Sequence, residues 1–134
     1  IFTSAPVPHI KDGFVENQWS KSNLIAALHE TLVNQTTADY FPSYEIMMDE
    51  LRDYRFYESD MIHPNQVAID YIWQKFSGAY ITADSRNVMN EIDSVRKAIS
   101  HKAFNPNSEQ HTELRQKVQT RIKRLQQTHA HSIF

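Results

Sequence analysis

The sequence predicts a mixed α/β chain that is predominantly helical and closes in an antiparallel helical hairpin. Two observations predict this. Four segments carry apolar residues at the three-to-four-residue spacing of an amphipathic helix. Two others, 1–7 and 40–48, are short, apolar or aromatic, and contain or border proline, as edge strands do. A third observation limits how much of a domain is present. The chain has 2 glycines in 134 residues. A complete α/β enzyme spends more on phosphate turns, nucleophile elbows and oxyanion loops. With Ile1 in place of a methionine, this leads to the expectation of a fragment.

Each element has its own warrant. Ile1 to Val7 reads as a strand end closed by Pro6 and Pro8. The loop after it holds Gly13, placed for a positive φ. Ser20 to Val33 reads as a helix, with Leu24, Leu28 and Leu32 every four residues, Ile25 beside them, and Ser20 or Ser22 as its cap. Tyr40 to Met48 reads as a strand with Pro42 near its start or on an edge. Met47 to Arg52 fits strand or helix. Asp53 to Asn65 reads as a loop. Pro64 or Asn65 starts a helix whose face is Ala68, Ile69, Ile72, Trp73 and Phe76, with Gly78 loosening its end. Asp84 caps a helix with Val88, Ile92, Val95 and Ile99 at heptad-like spacing. Asn105-Pro-Asn breaks it. Ser108 caps a last helix with Leu114, Val118, Ile122 and Leu125 on one stripe. Two such stripes joined by a short turn make an antiparallel hairpin. The division is therefore 1–83, an α/β part, and 84–134, a helical extension.

Composition bounds the function classes. Apolar residues make up 40% and charged residues 22%, an ordinary globular profile. The absence of cysteine excludes disulfides, thiolate zinc sites and a cysteine nucleophile. No apolar run spans a membrane and no leader pattern is visible, giving a cytoplasmic expectation with no membrane partner. Net charge is −2, so nucleic acid is not an expected partner. The charge is split: residues 1–83 hold 5 Lys/Arg against 11 Asp/Glu (net −6), and residues 84–134 hold 9 against 5 (net +4). Such parts attract each other or a partner.

Candidate chemistry centres on Asp60 and His63. A histidine base needs a carboxylate on one ring nitrogen to fix its tautomer, leaving the other for a nucleophile. Asp-x-x-His lets one turn of backbone supply both groups, and Pro64 stiffens the exit. The same spacing also suits an aspartate that caps a turn and a histidine packed at a helix start. No histidine pair has a metal-ligand spacing: His9, His29 and His63 are scattered, and His129 with His131 sits in the tail. No metal or cofactor is expected. The aromatics from Tyr40 to Trp73 suit either core or an acyl or sugar pocket. Arg52 and Arg55 suit internal ion pairs with Asp49, Glu50 and Asp53, or an anionic substrate. The basic residues Arg115, Lys117, Arg121, Lys123 and Arg124 suit contact with RNA or an anionic surface, but with glutamines between them and no aromatic to stack they read better as a solvated face or a partner for the acidic first part.

Three strings carry a resemblance. Ala5-Pro-Val-Pro-His-Ile-Lys-Asp-Gly-Phe-Val-Glu-Asn, Tyr40-Phe-Pro-Ser-Tyr-Glu-Ile-Met-Met-Asp-Glu-Leu-Arg-Asp-Tyr-Arg-Phe-Tyr and Asp60-Met-Ile-His-Pro-Asn closely resemble GSCFA-domain proteins, of the SGNH (GDSL-like) hydrolase grouping. The resemblance covers roughly residues 1–80. It implies a flavodoxin-like α/β/α sheet, here partial, with a serine nucleophile near the amino end of the domain. It makes His63 the general base and Asp60 its orienting partner, and the wider grouping implies an ester or acyl substrate. The name-giving Gly-Ser-Cys-Phe-Ala string is absent, as are the glycine and asparagine that form the oxyanion hole. Ala5-Pro6 stands where family members often have Ser-Pro. Ser4, Ser20, Ser22 and Ser43 lack the flanking glycines of a nucleophile elbow. The chain alone is therefore expected to be inactive, as the carboxyl-terminal part of a serine hydrolase that pairs with the missing amino-terminal part or with a second copy. The alternative expectation is a non-catalytic interaction or assembly module that uses the hairpin.

Overall fold

The computed structural model describes residues 1–100 and 109–129. It divides into two compact units, Ile1–Tyr80 and Ile81–Phe134. The expected α/β class, with a partial flavodoxin-like SGNH sheet, is overturned. Among the described residues there is no strand and no sheet, only two isolated bridges, Phe2 with Tyr40 and Tyr57 with Pro64.

The physical reason lies at Pro42. Phe2 and Tyr40 make one parallel rung, with Phe2 N–H donating to the Asp39 carbonyl at 2.7 Å and Phe41 N–H to the Phe2 carbonyl at 2.8 Å. A second rung would need the backbone of residues 4 and 43. Instead Pro42, at φ −85° and ψ 58°, turns Ser43 N–H back onto the Phe41 carbonyl at 2.9 Å. This is an inverse γ-turn, which commonly ends a strand. Side-chain hydroxyls replace the missing rung: Thr3 Oγ1 lies 2.7 Å from the Phe41 carbonyl, and Ser43 Oγ lies 2.7 Å from the Ser4 carbonyl. The two hydroxyls also meet each other at 2.7 Å. They own two protons between them, so two of these three contacts are satisfied at a time.

Beyond Pro42 the chain winds instead of extending. One α-turn, α2 (Ser43–Glu45), runs into a π-helical turn over Ile46–Glu50, closed by Leu51 N–H on the Ile46 carbonyl at 3.0 Å. The winding buries Ile46, Met47 and Leu51 together with Phe41 and Ala68 as the core of the first unit. Ala68, Ile72, Phe76 and Tyr80 recur every four residues and turn one stripe of α3 (Gln66–Tyr80) onto that core. Ala68 is fully buried. The ring of Phe41 meets Phe76 edge-on at 5.1 Å and Tyr80 at 6.0 Å. The expected face of this helix is shifted: Ile69 and Trp73 are each 48% exposed, and Trp73 stacks on the outside of Phe76. The start at Asn65 is as expected, with its Oδ1 accepting from Ala68 N–H at 3.2 Å.

The first long helix, α1 (Phe14–Leu32), starts six residues earlier than its apolar spacing indicates. Gly13 takes the expected positive φ, 91°, and reorients the chain directly into Phe14. Ser22 is not a cap; its hydroxyl donates to the Gln18 carbonyl inside the helix. Lys21 is the buried residue of α1, and its ammonium donates to the Ala5 carbonyl at 2.6 Å.

The second unit contains α4 (Ala83–Ser100) and α5 (Glu109–Thr128). Thr82, not Asp84, caps α4, accepting from Ser85 N–H at 3.2 Å. Val95, Val118 and Leu125 are buried, with Ile92, Ala98 and Ile122 packed against them. Glu91 pairs with Arg124 and, at 3.9 Å, with Arg121, while Ser94 faces Arg121. As one index rises the other falls, so the helices are antiparallel and form the hairpin the two stripes require. Ile99 and Leu114 leave the stripe and are exposed. The Asn105-Pro-Asn break, the Ser108 cap and His131 lie outside the described residues.

Candidate functional site

The site is a turn closed by its own backbone. Glu58 N–H donates to the His63 carbonyl at 2.8 Å, and Asn65 N–H donates to the Phe56 carbonyl at 2.9 Å. These bonds flank the Tyr57–Pro64 bridge and hold the two ends of residues 58–63 together. Among the described residues, Met61 is the non-glycine residue at positive φ, 60°. The left-handed region costs an L-residue about 1–2 kcal/mol, so the surrounding bonds must hold it there.

Asp60 supplies those bonds with one oxygen and meets His63 with the other. Its Oδ1 accepts from Ile62 N–H at 2.9 Å and from His63 N–H at 3.0 Å. Its Oδ2 lies 2.6 Å from His63 Nδ1. The backbone amide of His63, then its ring, then the amide of Ile62 hold the Asp60 carboxyl well below the usual range, at about 2. It is therefore ionised at neutral pH and only accepts. Nδ1 must then carry the proton. In the neutral ring this leaves Nε2 as the lone-pair nitrogen, and the imidazole is 59% exposed. The same carboxylate thus caps the turn and holds the His63 ring.

The same turn is locked to α3. Asn65 Nδ2 donates to the Arg55 carbonyl at 2.6 Å while its Oδ1 caps the helix. Sequence reading found Asn65 as a helix start and missed this second role. A side chain with both a donor and an acceptor at a helix start was the available signal.

The other candidate residues separate. Arg55 pairs with Asp53 at 3.7 Å and lies over Phe56, whereas Arg52 has no ion pair or hydrogen bond among the described residues. Glu50 pairs with Lys75 and accepts from the Tyr71 hydroxyl. Phe41, Phe76 and Tyr80 are core rings, while Tyr54 is exposed. His9 lies before a short 3-10 turn and His29 stands edge-on to Tyr40. His129 follows α5. Among the described residues, no group of three or more His, Asp or Glu could hold a metal ion, and no helix is long and apolar enough to cross a membrane.

Comparison with known proteins bears on both units. The model described as the GSCFA family matches residues 1–76. The model described as the GSCFA domain protein, C-terminal domain, matches residues 92–132. No curated protein and no solved structure matches the chain.

Proposed function

We propose that this chain, which belongs to the GSCFA family, supplies the base and its orienting carboxylate to an ester- or acyl-hydrolysing site of the SGNH kind. In this reading His63 Nε2 takes the proton of a serine hydroxyl as that oxygen attacks an acyl carbon. Asp60 fixes the tautomer and stabilises the imidazolium that results. The nucleophile and the oxyanion donors come from outside residues 1–134, because no serine here stands in a nucleophile elbow. The observation that carries the reading is the 2.6 Å contact between Asp60 Oδ2 and His63 Nδ1 on a turn that leaves the ring open to solvent.

The test is hydrolysis of p-nitrophenyl butyrate by the full-length natural protein and by its His63→Ala and Asp60→Asn variants. In Asp60→Asn the amide oxygen can still accept from both turn amides, but its NH₂ group would face Nδ1 and favour the wrong tautomer. Loss of the base should lower kcat/KM by about 10³-fold or more, and loss of the orienting charge by at least about 10²-fold. Equal rates in wild type and His63→Ala would end the reading.

A further inference from the structure

A second feature of the first unit is a surface groove that reaches the turn at Met61. An open groove of about 650 Å³ lies between the start of α1 and the segment from Tyr44 to Met61. That volume falls within the usual range for small-molecule sites, about 300–1,000 Å³. Its walls include Phe14, Tyr44, Met48, Tyr57 and Met61, with the polar Asn17 and Gln18 at the α1 side. Two of these are apolar side chains left open to water, Phe14 at 85% and Met61 at 51% exposed. Scattered single residues of this kind are ordinary; here two of them converge on one concave surface.

The groove also holds one guanidinium without an ion pair. Both Arg52 and Asp53 line it. Asp53 is occupied by the backbone amide and guanidinium of Arg55. Arg52 has no partner among the described residues. A guanidinium presents a planar fork of donors that matches a carboxylate. Tyrosine and methionine walls suit an alkyl or aryl body, with thioethers adapting to its shape.

We infer that this groove binds a small amphiphilic carboxylate, its apolar body against Tyr44, Met48, Tyr57 and Met61 and its anionic head on Arg52. The inference concerns binding alone and stands whether or not His63 acts as a base.

The probe is octanoate, with octanamide as its uncharged counterpart, added to the 134-residue chain carrying ¹³C-methyl methionine. Octanoate should shift the Met48 and Met61 methyl signals saturably while the buried Met47 signal stays in place. Octanamide should bind at least tenfold more weakly. Arg52 is exposed, so Arg52→Gln should keep the far-ultraviolet circular dichroism of wild type and reduce octanoate to the affinity of octanamide. Phe14→Ser should weaken both ligands. No saturable shift with octanoate, equal affinity for the two ligands, or an Arg52→Gln variant that retains the preference would each overturn the inference.

Discussion

The Asp60 carboxyl offers the most direct test of the turn's geometry. Three donors converge on it, and they hold it at about 2 instead of the usual 3.8. At pH 3 an ordinary aspartate would be about 14% ionised, whereas Asp60 should be about 90% ionised. The ¹³C signal of its carboxyl, assigned by its loss in Asp60→Asn, reads this fraction directly. The perturbation that separates the causes is His63→Ala. The largest contribution comes from the backbone amide of residue 63, which alanine also supplies, and the ring ranks second. The midpoint should therefore rise in His63→Ala yet stay below 3.8. The sign for stability follows from linkage. The folded value lies below the unfolded one, so this carboxylate stabilises the turn fully above 3.8 and the contribution is lost as pH falls toward 2. A wild-type midpoint at 3.8, or a full return to 3.8 in His63→Ala, would refute the three-donor account.

Two further predictions address the framework. Asn65→Ala removes the cap of α3 and the bond to the Arg55 carbonyl; it should lower urea stability by about 1–2 kcal/mol, and an unchanged midpoint would show that the turn is held without it. Ser43→Ala removes one of the two hydroxyl protons that replace the second rung and endangers a bond to the Ser4 carbonyl; it should cost about 1–3 kcal/mol in urea or thermal unfolding, and a cost below about 0.3 kcal/mol would mean that water or Thr3 fills the gap.

What could be read from the sequence was whatever depended on local periodicity. The stripe around Val95 and the stripe around Val118 and Leu125 each follow helical spacing, and the hairpin follows from their facing. The positive φ at Gly13 and the start of α3 at Asn65 were legible for another local reason: one residue type dictates each. The strands at 1–7 and 40–48 were not, because strand identity depends on neighbours. Residues 1–7 find one rung of partner, and Pro42 then spends the Phe41 carbonyl on a γ-turn. The aromatic run that looked like a strand winds because Ile46, Met47 and Leu51 reach one core only from a tight turn. The early start of α1 was hidden because Phe14, Val15 and Trp19 are exposed and give no one-sided pattern. At the site, the Asp-x-x-His spacing placed the pair but not the division of labour between the two carboxylate oxygens. That division depends on φ at Met61, a backbone angle no residue preference announces.

In the proposed reading, the geometry of the pair explains why so local a motif can serve a site assembled from distant chain. Every bond that sets the His63 ring arises between Arg55 and Ala68: the closure from Glu58 to His63, the Asn65 bonds, and the three contacts of Asp60. None of them needs a sheet. Orientation and tautomer, which a free histidine would have to find by chance, are therefore fixed by the turn itself. Pre-set geometry of this kind lowers a barrier only when the reacting groups are held within about 3–3.5 Å of each other. Nε2 has no hydroxyl against it among the described residues. In the proposed reaction, the turn thus supplies a base whose rate contribution is latent and is realised by whatever brings a serine to that nitrogen.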